Sequence, residues 1–174
     1  MIEVHDHFFD DDTRKEIFDL LMKPHWGLSG GNNNKPEIFW HYDGLEGDLH
    51  NGYFTKFLYE KICKNLNREF KGFQRIYANG QTSGQCGTPH QDDGDLTFLY
   101  YPNPYWDINW QGHLIFLNKS IENNGEADRV IEYKPNRAVL FDGKTPHYAQ
   151  APSRFFNGIR ISLAYKLLNN KLYY

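Results

Sequence analysis

Cysteine is scarce in this chain: Cys63 and Cys86 are the only two among 174 residues. Two thiols make no disulfide framework. A packed core therefore has to hold the fold, and a cytoplasmic chain with both thiols free is expected. Positive charge is scattered, and the net charge is -3. No run of Lys or Arg forms the footprint that binds a phosphate backbone, so a nucleic-acid partner is not expected. No apolar stretch approaches the length of a membrane span. The N-terminal IEVHDHFFDDD is acidic and has no signal-peptide pattern. Repeats, heptads and a domain linker are also missing, which leaves one domain over residues 1–174.

Apolar and aromatic side chains are plentiful: 40% of residues are hydrophobic and 17% aromatic, enough for one sizeable core. Twelve Tyr and thirteen Phe suit sheet faces, and fifteen Gly and eight Pro supply turns between strands. MIEVHDHFF predicts a short strand. DDDTRKEIFDLLMK predicts a helix capped by Asp12 or Thr13, with Ile17, Phe18, Leu20 and Leu21 as its apolar stripe. PHWGLSGGNNNKP reads as a loop and PEIFWHY as a strand. GYFTKFLYEKICKNLNREF is the clearest helix, with Phe54, Phe57, Leu58, Lys61, Ile62 and Leu66 at helical spacing and Cys63 as a buried, inert thiol near the stripe. From residue 72 onward the pattern changes to strands: FQRIYAN, DLTFLYY, GHLIFLN, DRVIEY, NRAVLF and RISLAYKLL, with TPHQDD and PHYAQAP as shorter ones. KSIENNGEADR reads as a mobile surface turn. Helical support over about 1–70 followed by about eight strands over about 71–168 has no βαβ rhythm. The expectation is a mainly β fold, a cupin-like jelly roll of two antiparallel sheets with the helices packed on one of them.

TPHQDD carries the chemistry. His90 and Asp92 are two residues apart, so on extended backbone both side chains point to one face. His147 in DGKTPH follows the strand NRAVLF after a tight turn. Two imidazoles and one carboxylate on one metal leave open positions, the usual ligand set of non-haem Fe(II) oxygenases, although Mn(II), Zn(II) and Co(II) suit the same donors. An isolated H-x-D is common and says little alone. His5, His7, His25, His41, His50 and His113 read as surface or packing histidines. Arg160 opens the last strong strand, and a guanidinium there can clamp a carboxylate with two hydrogen bonds. Ser162 lies on the same strand face and can donate another. Arg154 competes with it but sits in the loop-like APSRFFNG.

Taken together these motifs resemble the 2-oxoglutarate- and Fe(II)-dependent dioxygenases, in their prolyl 4-hydroxylase-like branch. The resemblance runs from about residue 73 to 167. It implies a double-stranded β-helix with Fe(II) on His90, Asp92 and His147, and a basic residue after the distal histidine, here Arg160, holding the far carboxylate of 2-oxoglutarate beside Ser162. RIYANGQTSGQCGTPHQDD is similar to the family's Y-x-x-G-Q run into H-x-D, which gives Tyr77 a role as hydrogen-bond donor near 2-oxoglutarate. Tyr101 matches a tyrosine lining the same pocket, Thr97 on the same strand is a further candidate there, and Trp106 matches the tryptophan after the family's Y-L-N turn. The family's Gly-Gly-x-L signature is present with His113 in place of the second glycine.

The implied reaction is hydroxylation of a C–H bond with O2, releasing succinate and CO2, with ascorbate as an optional reductant. A prolyl residue in an extended peptide is the substrate this branch suggests. Trp106, Trp110, Tyr100, Tyr105 and Trp40 are its candidate wall residues. The loops around 25–45 and 82–88 are candidates to close over the site, and a monomer or weak dimer is expected. Three alternatives stay open: a 2-oxoglutarate-dependent hydroxylase of another amino acid or a small molecule, a cupin-like metal enzyme without 2-oxoglutarate, and a non-catalytic jelly-roll binding module.

Overall fold

The last strand organises the molecule. In a computed structural model that describes residues 1–30, 38–47, 50–118 and 125–169, Arg160–Leu168 forms a strand buried on both faces up to its final residue. Its sequence alternates with the period of an extended chain: Ile161, Leu163, Tyr165 and Leu167 point one way, and Arg160, Ser162, Ala164 and Lys166 the other. This strand is β10 in chain order. It pairs antiparallel with β4 (Gly72–Gln81) on one side and β5 (Leu96–Tyr100) on the other. Beyond β5 lie β8 (Ala138–Asp142) and β1 (Ile2–His5); beyond β4 lie β3 (Ile38–Tyr42) and β2 (Gly27–Gly30). The result is a seven-stranded sheet of order β1-β8-β5-β10-β4-β3-β2. A three-stranded sheet of order β7-β6-β9, made of Ala127–Ile131, Leu114–Leu117 and His147–Ala149, completes the jelly roll.

Two buried clusters follow from that alternation. On one face of the large sheet, Ile76, Phe98, Tyr100, Leu140, Leu163 and Tyr165 form one cluster with Ile17, Leu21, Phe54, Leu58, Ile62 and Leu66 of the helices. Fully burying a side chain of this kind contributes about 1.5–3 kcal/mol. The Tyr165 hydroxyl spans the layer and donates to the Phe54 carbonyl at 2.9 Å. On the other face, Tyr101, Val139 and Phe141 pack with Leu114, Phe116, Ile131 and Tyr133 of the small sheet and its flank. The chemistry-bearing face of β10 looks into this second layer.

The first helix, α1 (Asp11–Leu21), is capped by Asp10 rather than Asp12 or Thr13: the Asp10 carboxylate accepts from the Thr13 backbone N–H at 2.9 Å and from its hydroxyl at 2.8 Å. The second helix begins as a π-helical turn over Tyr53–Leu58 and continues as α2 (Tyr59–Leu66). The extra residue per turn rotates the stripe, so Phe57 is 46% exposed. Lys61 leaves the core as well, since its ammonium reaches Asp10 and Thr13 at the start of α1. Cys63 is half-buried rather than buried, and both thiols are free.

Three further departures concern strands. PHWGLSGG contains β2, a strand its glycines conceal. The N-terminal third supplies β1, β2 and β3 to the large sheet as well as the helices. TPHQDD forms no strand, only an isolated antiparallel bridge between His90 and His147. Of KSIENNGEADR, residues 119–124 lie outside the described residues, as do residues 31–37 of the loop expected over the site. No helix among the described residues is long and apolar enough to cross a membrane.

Candidate metal centre

Both histidines of the triad sit in the same tripeptide, Thr88-Pro89-His90 and Thr145-Pro146-His147. Proline fixes its own backbone angle and keeps the preceding threonine extended. In each copy the histidine Nδ1 then meets the threonine carbonyl two residues back, at 2.9 Å for His90 and 2.8 Å for His147. A ring that donates from Nδ1 to a carbonyl presents a bare Nε2, the form a metal takes. The two tripeptides are clasped by reciprocal backbone hydrogen bonds of 2.9 Å between His90 and His147. Burial pulls the His147 pKa down to about 4, against the pull of Asp92, so the ring is neutral at ordinary pH.

Asp92 is held from three sides. Its backbone N–H donates to the Gly143 carbonyl at 2.7 Å. Gly143 has to be glycine: a Cβ there would lie 2.4 Å from the Gly94 carbonyl oxygen and 3.4 Å from the Asp92 Cβ. The Thr97 hydroxyl donates to Asp92 Oδ2 at 2.6 Å, and the Lys166 ammonium contacts the same oxygen. Asp92 Oδ1 is 3.6 Å from His90 Nε2, and Oδ2 is 3.6 Å from His147 Nε2. Burial alone would raise the Asp92 carboxyl, but Lys166, His147 and Thr97 outweigh it and hold its pKa below the usual value. One donor atom from each of His90, Asp92 and His147 lies within 4.8 Å of the others. Two imidazole nitrogens and one carboxylate oxygen at this spacing suit a first-row divalent metal.

At the far end of the same β10 face, Arg160 is 1% exposed. Its Nε donates to the Gly112 carbonyl at 2.7 Å and one terminal nitrogen to Gln81 Oε1 at 2.8 Å. Its guanidinium lies 4.8 Å from the ring centre of Tyr133 and 5.5 Å from that of Tyr101. No carboxylate pairs with it among the described residues. The Tyr101 hydroxyl, buried beside it, has no hydrogen-bond partner. A buried cation without an anion is expensive, and this one fits the remote carboxylate of a diacid. Ser162, 6% exposed, lies between Arg160 and the metal end, opposite Asn79 on β4.

By sequence the chain matches no family profile, and no curated protein is similar to it at significance. Solved structures are similar. A prolyl hydroxylase from Trichoplax adhaerens, in complex with a hypoxia-inducible-factor degradation-domain peptide, superposes with a TM-score of 0.71 at 18% identity, over 98% of this chain and 84% of that one. A prolyl-4-hydroxylase from Pseudomonas putida gives 0.66 at 16% identity, over 97% and 92%. HygX from Streptomyces hygroscopicus, with nickel and 2-oxoglutarate bound, gives 0.70 at 9%, over 98% and 83%. The chain has the fold of the 2-oxoglutarate- and Fe(II)-dependent oxygenases.

Within this oxygenase fold the other expected site residues separate. Thr97 donates its hydroxyl to Asp92 and accepts from the Lys166 ammonium, at the metal end. Tyr77 faces the metal end: the Lys166 ammonium is 5.7 Å from its ring centre, and burial raises its hydroxyl pKa against the pull of that charge. Tyr100 is not a substrate contact. It lies in the helix-facing cluster with no exposed surface, and its hydroxyl donates to Asn136. Trp40 is directly opposite Gly80 on the same helix-facing side. Trp106 packs on Tyr133 and Phe156, and Trp110 meets it edge-on, beside the Arg160 end. Tyr105, 63% exposed, borders Trp110. Arg154 is exposed over Phe155. The 82–88 loop is fastened by Gly87 N–H to the Ala149 carbonyl at 2.9 Å and by Gln81 to the Gln85 carbonyl at 2.8 Å.

Sequence reading missed Lys166, Gln81 and Asn79. All three lie on the inner face by strand alternation from Arg160 or from its partner strand. The doubled Thr-Pro-His was equally visible and equally unused.

Proposed function

We propose that this chain is an Fe(II)- and 2-oxoglutarate-dependent oxygenase that hydroxylates a C–H bond, with a prolyl residue in an extended peptide as its favoured substrate. One observation supports the class above all others: a His-Asp-His set lies beside one end of the inner face of β10, and the other end holds a buried arginine that pairs with no carboxylate among the described residues. His90, Asp92 and His147 would hold the metal through Nε2, a carboxylate oxygen and Nε2. Arg160 and the unpartnered Tyr101 hydroxyl would hold the remote carboxylate of 2-oxoglutarate, with Ser162 along its path. When bound, Fe(II) and 2-oxoglutarate supply activation of O2, with succinate and CO2 released.

The chain's own part is orientation and shielding. The paired threonine carbonyls fix both rings, so neither imidazole needs to turn on binding. Thr97 fixes the carboxylate. Phe116 and Phe141 pack against the His147 ring, at 5.9 Å and 4.7 Å between centres, and keep water from that side. The buried Arg160 environment rewards a co-substrate that brings an anion. A cupin-like enzyme without 2-oxoglutarate would leave Arg160 buried with no anionic partner, which counts against that reading.

Support for a prolyl peptide is the likeness to prolyl hydroxylases, one of them in complex with a peptide. The test is succinate release from Fe(II)-loaded protein over a panel of proline-containing peptides, with product mass gain of one oxygen. Peptide-dependent succinate is the expected result. Turnover that responds only to other residues or to small molecules would transfer the substrate to those alternatives.

A further inference from the structure

Lys166 is the most deeply placed lysine near the triad, 1% exposed on the inner face of β10. Its ammonium contacts Asp92 Oδ2, donates to the Thr97 hydroxyl at 3.2 Å, and faces the Tyr77 ring. Gly94 packs on its stem, where an added Cβ would sit 3.2 Å from the Lys166 Cβ. Its one ion-pair partner among the described residues is Asp92, which is the only carboxylate in the triad. The lysine and Thr97 both meet Oδ2, which leaves Oδ1 facing His90 and free for a metal.

We propose that Lys166 is a built-in counter-ion of the metal centre: it neutralises Asp92 in the metal-free protein and sets divalent-metal affinity below that of the bare His90, Asp92 and His147 set. This rests on the reading of those three residues as metal ligands. A buried carboxylate with no cation beside it is strongly destabilising. With Lys166 in place the Asp92 charge is balanced, so the fold stands without metal. An entering divalent cation meets an ammonium on the far oxygen of its carboxylate ligand, and the two cations repel across a poorly screened interior. Thr97, uncharged, is sufficient to orient the carboxylate. Among the described residues the same charge also leaves the interior with two buried cations, Lys166 and Arg160, for one buried carboxylate, Asp92, an arrangement that favours a dianionic co-substrate.

The test is titration of metal-free protein with Co(II) at one neutral pH, read by calorimetry and by the visible absorption of the bound ion. Lys166→Met is expected to bind Co(II) about tenfold tighter or more than wild type. Its metal-free melting temperature should fall, and its Co(II)-induced rise should exceed that of wild type, because metal then replaces the missing counter-ion. Lys166→Arg, which keeps the charge, should stay within a few-fold of wild type, on the order of experimental scatter. Lys166→Gln, which keeps polarity without charge, should also bind tighter, and it serves if the methionine variant does not fold. His147→Ala reports whether binding is at the triad. Binding that His147→Ala abolishes, but that neither neutral variant strengthens, overturns the counter-ion role alone. A wild-type chain that takes up no Co(II), or takes it up independently of His147, overturns the metal reading and this inference with it.

Discussion

Arg160 shows how much one side chain can decide. Its guanidinium is committed to Gly112 and Gln81 and flanked by two tyrosine rings, yet it meets no carboxylate among the described residues. If its anion is the co-substrate, Arg160→Met should weaken 2-oxoglutarate binding by about a hundredfold, roughly 3 kcal/mol. Co(II) affinity at the triad should be unchanged, and calorimetry of both ligands separates the two. Equal 2-oxoglutarate affinity in the variant would mean that the arginine is only a core element. Residues of this kind were legible in the sequence because their chemistry limits their company: H-x-D, a distal histidine, then an arginine opening a strand. Lys166 was not, because a lysine near a chain end reads as solvated by default. What buries it is the alternation of β10 between two packed layers, and that becomes visible only when the strand is known to be central.

At the scale of elements, the strands from residue 72 onward were legible from β-branched and aromatic runs between turn residues. β2 was hidden by its glycines, and TPHQDD, with its single proline, Pro89, reads as extended yet makes only one bridge, His90 to His147, and no ladder. The first strand was legible, but its partner was not. β1 closes the large sheet against β8, a pairing set by contacts more than a hundred residues apart. Past its end, Asp6 clasps Arg137 at 2.6 and 3.0 Å and Lys134 at 3.3 Å, and the buried Asn136, at φ 58°, bonds both the N–H and the carbonyl of Phe9. The Arg137 hydrogen bond, against some desolvation, lowers the Asp6 pKa from 3.8 to about 2. A lowered carboxyl stabilises the fold above its unfolded pKa and loses that contribution as pH falls through its folded one. Asp6→Asn should therefore melt below wild type at neutral pH, by about 2 °C for so exposed a pair. Melting curves should converge as pH falls from 3.8 towards 2. A gap that persisted below that window would place the loss elsewhere than in the ion pair.

For the whole molecule, the large sheet divides the interior by chemistry. One face holds an apolar layer with both helices; the other, under the small sheet, holds the triad, Lys166, Ser162 and Arg160. Jelly-roll topology is what brings His90 and His147 into register although 57 residues separate them (147 − 90). Fold class followed from the order of elements, whereas the depth of the polar face depended on which layer each strand side met. The central claim is that this face takes a divalent metal and 2-oxoglutarate together. The most direct measurement is anaerobic addition of 2-oxoglutarate to the Fe(II)-loaded protein, followed by visible absorption. A metal-to-ligand band that appears with 2-oxoglutarate in wild type and is lost in Asp92→Ala is the predicted result. Absence of the band in wild type, with Fe(II) shown to be bound, would contradict it.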